Sequence, residues 1–205
     1  MDLWAYEREQ WAQGKEIVCG VDEAGAGPLA GPVYAAAVIL PRELEIPGLN
    51  DSKKLTEKKR EILFDVIVEQ SLAYSVARVE AAEIDEIDIL NARMKAMQLA
   101  IDGLSLAPDM ALIDGNRDHG SQYAVETPHI TIIKGDGASA SIAAASILAK
   151  VTRDDLMVQM AEVHPGYAFE IHKGYGTKAH YAALRELGAS PIHRMTFLKK
   201  FYGEK

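Results

Sequence analysis

Apolar residues fall along the chain in short unbroken runs and in helix-spaced stripes. "EIVCGVD" (16–22) and "PVYAAAVIL" (32–40) are continuous enough to be buried strands, and the short glycine-rich link between them predicts a hairpin. "LAYSVARVE" (72–80) alternates as a third strand, "MALID" (110–114) forms a fourth and "HITIIK" (129–134) a fifth. Residues 2–13 predict a helix, with Trp4 and Trp11 on one face. Thr56 opens another that runs to about Gln70, with Lys59 where a capping box would place an acid. One long helix is expected from Ala81 to Leu104, because Ile84, Ile87, Leu90, Met94, Met97 and Ile101 recur at three- and four-residue spacing. The alanine-rich stretch 140–161 predicts a helix whose small side chains permit close packing on a sheet, and after "HPGY" (164–167) a basic, mostly helical extension follows. Three early strands and then helix–strand–strand–helix imply an α/β fold: one mixed sheet with helices on both faces.

The 205 residues suit one domain of generous size, and 48% hydrophobic with 25% charged residues is ordinary for a globular protein. No apolar run approaches the roughly 18 residues of a membrane span, and the acidic, amphipathic "MDLWAYEREQ" does not read as a secretion signal. The one cysteine, Cys19, excludes an internal disulfide and fits a reducing, cytoplasmic setting; in an apolar strand it reads as a buried structural thiol. The net charge of −8 argues against general nucleic-acid affinity. Its distribution changes that picture. Residues 51–60, "DSKKLTEKKR", carry five basic and two acidic side chains, and residues 172–205 carry seven basic and two acidic plus three histidines. Two basic segments on an acidic body are either solvated faces or flanks for a phosphate backbone.

Four acids stand out by position. Asp22 and Glu23 end the first strand, Asp114 ends the fourth, and Asp154 lies well inside the alanine-rich helix. Ligands gather where strand ends converge in an open sheet, and carboxylates brought there from separate elements suit Mg²⁺ or Mn²⁺. An isolated acid at a strand end is more often solvated or capping. Neighbouring strand residues also point to opposite faces, so Glu23 needs a bend, or its carbonyl, to join Asp22. Competing chemistry is weak. No Walker loop is present, "GAGPLAG" is followed by a strand rather than a helix, and the six histidines lack zinc spacing. Ser139, Ser141 and Ser146 read as capping or packing residues.

Beyond these local readings, the chain resembles the type 2 ribonucleases H, specifically bacterial ribonuclease HII. The resemblance runs from about residue 16 to 198 through "GVDEAGAGPLAGPV", "LNDSKKL", "AMQLAI", "LIDGN", "IKGD", "SIAAASILAKVTRD", "HKGYGT" and "HRMTF". It implies a ribonuclease H-like mixed five-stranded sheet flanked by helices, with a catalytic domain over 1–165 and a C-terminal helical extension over 166–205, packed as one unit. It implies metal-dependent endonucleolytic cleavage of RNA–DNA hybrids, and 5′ to ribonucleotides embedded in duplex DNA, by a monomer that needs no membrane. By the same resemblance, Asp22, Glu23, Asp114 and Asp154 match the family's four catalytic acids, the ligands of Mg²⁺ or Mn²⁺. Gly25, Ala26 and Gly27 match its Gly-Arg-Gly segment at the ribonucleotide–DNA junction. Tyr175 matches the tyrosine that packs on the junction sugar, and Lys53 and Lys54 are expected on the substrate side.

Four positions depart from the family pattern. Ala26 stands for arginine, Ala138 for lysine, Asp88 for asparagine, and Asp155 follows "TRD" where a base is frequent. All four make the chain less basic, so they bear on substrate affinity rather than on metal ligands. The alternative they support is a nucleic-acid-binding relic with impaired catalysis. Ribonuclease HIII usually carries a further N-terminal domain, for which fifteen residues before "EIVCG" leave no room.

Overall fold

The computed structural model describes residues 2–203; Met1, Glu204 and Lys205, at the outer ends of the two expected units, lie outside the described residues. Strand β1 (Val18–Ala24) lies at the centre of a five-stranded sheet of order β3-β2-β1-β4-β5. It pairs antiparallel with β2 (Val33–Ile39), which pairs antiparallel with β3 (Ala73–Val79). On its other side it runs parallel to β4 (Met110–Asp114), and β4 runs parallel to β5 (His129–Ile132). The expected hairpin is present. The parallel pairs require crossovers, and the helical segment 81–102 supplies the one between β3 and β4.

The two sheet faces bury different helices. Cys19, Val21, Ala35, Ala37 and Ile113 pack with Met94, Met97 and Ile101 of α4 (Ile89–Asp102). Ala36 and Val38 pack on the other side with Leu63 and Ile67 of α2 (Glu57–Gln70), and with Ala144, Ile147 and Leu148 of α5 (Ala140–Val163). Helix α5 comes so close to β1 that a Cβ at Gly20 would stand 2.1 Å from the backbone of Ser141. The alanines of α5 and the missing side chain at residue 20 are therefore one feature of packing. At the start of α5, Ser139 is the N-cap and accepts from the N–H of Ile142. Helix α1 (Ala5–Ala12) reaches the same end. Its buried Glu7 accepts from Ser139 Oγ at 2.6 Å and from the N–H of Ser141 at 3.0 Å.

The long helix expected over 81–104 is two helices, α3 (Ala81–Ile87) and α4, broken at Asp88. Asp88 has φ 68° and ψ 165°, a conformation outside the left-handed helical basin that residues with a Cβ rarely adopt. Its carboxylate caps α4 by accepting from the N–H groups of Leu90 and Asn91. An acid that can bond the backbone locally competes with helix continuation, and here the cap wins. The apolar period survives the break, so periodicity alone could not show it.

The extension contains α6 (Phe169–His172), α7 (Lys178–Leu187) and α8 (Met195–Tyr202). Phe169, Leu184 and Leu198 pack with Leu29 and with Met157 of α5 in one buried cluster. Three histidines join it. The His172 and His180 rings stack at 4.4 Å, and His180 Nε2 lies 2.9 Å from His193 Nε2. Burial, helped by the neighbouring His180, pushes the His193 ring down to about 4 from its ordinary 6.5. Among the described residues no helix is long and apolar enough to cross a membrane.

The lowered His193 value gives a signed expectation. Between pH 6.5 and about 4 the unfolded chain binds a proton at this residue that the folded chain refuses. Its contribution to stability is complete above pH 6.5 and is lost as the pH falls through that window. The thermal midpoint should therefore drop between pH 7 and pH 5, and His193→Gln should shrink that drop. Equal drops in the two proteins would remove His193 as a cause.

Candidate active site

Strand register brings the first two acids together. Val21 pairs with Ile113 across the parallel β1–β4 ladder, so Asp22 and Asp114 follow at adjacent strand ends. Asp22 shares the parity of Gly20, and Asp114 that of Leu112, which packs on Ile142 of α5. Both carboxylates thus belong to the α5 face. Asp136 arrives from the one-turn helix Gly135–Gly137 after β5, and its N–H donates to Asp114 Oδ1 at 3.3 Å. One carboxylate oxygen from each of Asp22, Asp114 and Asp136 lies within 4.8 Å of the other two.

Burial first, then the charges of Glu23 and Asp114, pushes the Asp22 carboxyl well above the usual range. Asp136 is raised by burial and then by Asp114 and Asp51, with Lys53 opposing. Lys53 Nζ stands 3.4 Å from Asp136 Oδ2; burial alone would lower it, but Asp22 and Asp136 outweigh that and raise it. Carboxylates that resist ionising side by side are what a divalent cation relieves, and an all-oxygen donor set suits Mg²⁺ or Mn²⁺. The residues present therefore fit such an ion.

Glu23 enters differently. By strand alternation it faces α4, where its Oε1 pairs with Arg93 Nη2 at 2.7 Å, while its N–H donates to Asp22 Oδ1 at 2.7 Å. Burial raises its carboxyl and Arg93 opposes. Its charge borders the cluster, but its carboxylate is outside the three-oxygen set. Asp154, expected from the sequence among the catalytic acids, lies outside this three-oxygen set in the structure. It sits one helical turn after Lys150, whose Nζ donates to its Oδ1 at 2.6 Å. An acid at this helix position meets the base four residues back, whereas Asp136, just ahead of the helix, reaches the strand ends.

A cleft of about 310 Å³ opens beside Asp22 and Glu23. Its lining takes Asp22 and Glu23 from β1, Gly25, Ala26 and Gly27 from the following loop, and Ser52 and Lys53 from the turn Ser52–Lys54. It also takes Ser146 and Lys150 from α5 and Tyr175 from the extension. The Ser52 and Ser146 hydroxyls are 2.6 Å apart, and burial lowers Lys150. Lys54 is drawn to Asp51 at 3.5 Å. Tyr175 is 45% exposed. A larger cleft, of about 570 Å³, separates α1 from residues 43–49, but its Asp2 and Glu43 are already paired with Arg8.

The glycines of the loop serve two purposes. Gly25 has φ 92°, and a Cβ there would stand 2.0 Å from Arg153 Nε, so the crowding is on the protein side. A Cβ at Gly27 would meet only the Tyr175 ring, at 3.8 Å, so this side faces the cleft. The carbonyls of Gly25 and Ala26 accept from buried Arg194 at 2.6 and 3.0 Å. The N–H groups of Ala26 and Gly27 donate to nothing among the described residues.

Reading the sequence missed Asp136, Ser52, Ser146, Lys150, Arg93, Arg153 and Arg194 as contributors. Asp136 alone left a signal: an acid shortly after the last apolar strand, in "IKGD", repeats the placement of Asp114 after β4. The others become visible only through contacts between distant segments.

The chain matches the family model for ribonuclease HII over residues 19–200. It is 54% identical over 197 residues to a ribonuclease HII of Endomicrobium trichonymphae, covering 96% of this chain and 92% of that one. Its fold is similar to the ribonuclease H2 of Pyrococcus horikoshii OT3, with TM-score 0.73, 26% identity, and 93% of this chain and 100% of that one covered. It is also similar, in fold alone, to Bst ribonuclease HIII in complex with Mn²⁺, with TM-score 0.57, 20% identity, and 85% and 63% covered.

The placement of the acids separates two substitutions. Asp136→Asn removes one of the three clustered charges and should weaken Mn²⁺ binding at least tenfold in a calorimetric titration. Asp154→Asn releases Lys150 and should leave the Mn²⁺ affinity within about twofold. Equal losses in the two variants would return Asp154 to the metal site.

Proposed function

The chain belongs to the ribonuclease HII family, a ribonuclease H hydrolase acting on phosphodiester bonds, and on that premise we propose that it cuts duplexes 5′ to a ribonucleotide, including single ribonucleotides embedded in DNA, leaving 5′-phosphate and 3′-hydroxyl ends. The observation that carries this reading is the meeting of three features at one cleft: a carboxylate cluster that reaches it through Asp22, two loop amides without a partner among the described residues, and an exposed tyrosine ring.

Asp22, Asp114 and Asp136 would hold the divalent ions, with Glu23 at their border. Two such ions, when bound, supply the charge that activates water and stabilises the leaving oxygen in an in-line displacement. The rest is the work of the chain itself. The N–H groups of Ala26 and Gly27 are donors placed for a ribose 2′-hydroxyl, which a deoxyribose lacks. The Tyr175 ring gives the sugar beside that hydroxyl a flat apolar wall. Lys53 and Lys150, with the paired Ser52 and Ser146 hydroxyls, offer cations and donors to the phosphates on either side. Asp154 keeps Lys150 in the cleft through their 2.6 Å contact and so acts as a positioning residue.

Two of the departures from the family pattern gain physical content here. Asp88 serves as a helix cap and bears on packing, not on the cleft. Ala26 leaves the loop without a side-chain cation, while its backbone groups keep their places. Recognition of the ribonucleotide should therefore persist with weaker phosphate attraction. Such an activity belongs to removal of ribonucleotides from DNA during replication and repair, in the cytoplasm, with the protein acting as a monomer.

Duplex DNA bearing one ribonucleotide should be cut once, 5′ to it, in Mn²⁺ or Mg²⁺ and not with EDTA. Binding without cleavage under all of these conditions would favour the impaired relic. Asp22→Asn should abolish the cut with thermal stability retained. Ala26→Arg should tighten substrate binding by tenfold to a hundredfold, as expected for a charge-assisted contact of about 1.5–3 kcal/mol. It should also steepen the salt dependence by about one counterion and leave the cut site unchanged. An unaltered affinity and salt slope would show that position 26 lacks no substrate contact.

A further inference from the structure

Two consecutive residues of the extension, His193 and Arg194, grip opposite sides of the cleft. Arg194 is fully buried and forms no ion pair among the described residues. Its guanidinium donates to three carbonyls of one loop: Gly25 at 2.6 Å, Ala26 at 3.0 Å and Gly31 at 2.9 Å. The backbone reinforces this grip, since the Arg194 N–H donates to Leu29 O at 2.8 Å and the Gly31 N–H to Ile192 O at 2.8 Å.

Peptide planarity turns those contacts into a statement about the cleft. In a trans peptide the C=O of one residue and the N–H of the next point in opposite directions, and the described chain has no cis bond. With the Gly25 carbonyl held toward Arg194, the Ala26 N–H must face away from it. The Ala26 carbonyl fixes the Gly27 N–H in the same way. The two unpartnered amides of the cleft are thus aimed by one buried side chain.

His193 grips the other side through a relay with a single consistent set of tautomers. The Ser190 N–H donates to His193 Nδ1 at 2.8 Å, which places the His193 proton on Nε2. That proton goes to His180 Nε2 at 2.9 Å, so His180 carries its own on Nδ1 and donates to the Tyr175 carbonyl at 3.0 Å. Arg153 ties the two sides together, donating to Ala30 O at 3.1 Å and to Lys173 O at 3.0 Å.

We propose that Arg194 and His193 are the positioning residues for ribonucleotide recognition: together they set the direction of the Ala26 and Gly27 amides and their distance from Tyr175, without touching the metal cluster. This rests on the ribonuclease reading above. It adds that discrimination between ribose and deoxyribose is built by the C-terminal extension, not by the strand that carries the acids.

The test is Arg194→Lys, which keeps the charge but replaces a fork that spans three carbonyls by a single ammonium. Steady-state cleavage of the one-ribonucleotide duplex should show KM raised at least tenfold and kcat within threefold, with Mn²⁺ affinity by titration unchanged. Leu198→Ala serves as the comparison. It opens the apolar cluster that Leu29 shares with the extension, but it removes no hydrogen bond to either side of the cleft, so it should lower the thermal midpoint and leave KM within twofold. Should Arg194→Lys fail to fold, His193→Gln, which breaks the relay to Tyr175, carries the same expectation. An unchanged KM in the folded variant, or an equal rise in KM in Leu198→Ala at equal loss of stability, would overturn the inference. Failure of the unaltered protein to cut the duplex would instead overturn the ribonuclease reading.

Discussion

The architecture depends on the contact between α5 and β1. Helix and strand meet where Gly20 has no side chain, and a single Cβ there would stand 2.1 Å from the helix backbone. That approach seats the first turn of α5 directly on the centre of the sheet. Its N-terminus, clamped by Glu7 through Ser139 and Ser141, fixes the turn that delivers Asp136. Its middle turns put Ser146 and Lys150 into the cleft. Beyond the sheet, Arg153 and Met157 receive the extension. One helix, docked at one glycine, thus sets the acids, Lys150 and the extension that holds the 25–31 loop in a common frame.

Buried charge is handled in two ways on the two sides of the cleft. The carboxylates of Asp22, Asp114 and Asp136 crowd together, and among the described residues Lys53, largely exposed, is the cation that pairs with them. Such a group is costly unless a cation joins it. Arg153 and Arg194 are equally buried but are satisfied by main-chain carbonyls, six between them. The acidic side therefore requires something from outside the chain. The basic side is complete in itself and acts as a rigid frame.

Much of the fold was legible in one dimension. The runs at 110–114 and 32–40 became strands within a residue of expectation, and Thr56 and Ser139 cap the helices they precede. These are local matters: apolar period, hydroxyls at helix starts and glycine in a tight link act over a few residues. The long helix over 81–104 was misjudged because the apolar stripe runs through Asp88 unbroken, while the break comes from a hydrogen bond by the Asp88 carboxylate. The vicinal acids were legible as an anomaly, and strand alternation raised the question of how Glu23 could join Asp22; in the structure its carboxylate pairs with Arg93.

The choice between Asp136 and Asp154 lay beyond that reach. Both follow recognisable motifs, and both lie near α5 in sequence. Which one meets Asp22 depends on where the turn after β5 stands against the end of β4, a distance set by sheet register and by how closely α5 packs. Arg194 carries the same lesson further, since 168 and 169 residues separate it from the carbonyls it holds at Ala26 and Gly25. By itself the sequence determined most of the elements, the family and two of the three clustered acids, Asp22 and Asp114, because those follow from local chemistry and short-range pattern. Only the tertiary structure decided the third member of the carboxylate cluster, the placement of Lys150 against Asp154 and the direction of the loop carbonyls held by Arg194. These arise from contacts between segments far apart in the chain, whose energies depend on distances that no local pattern contains.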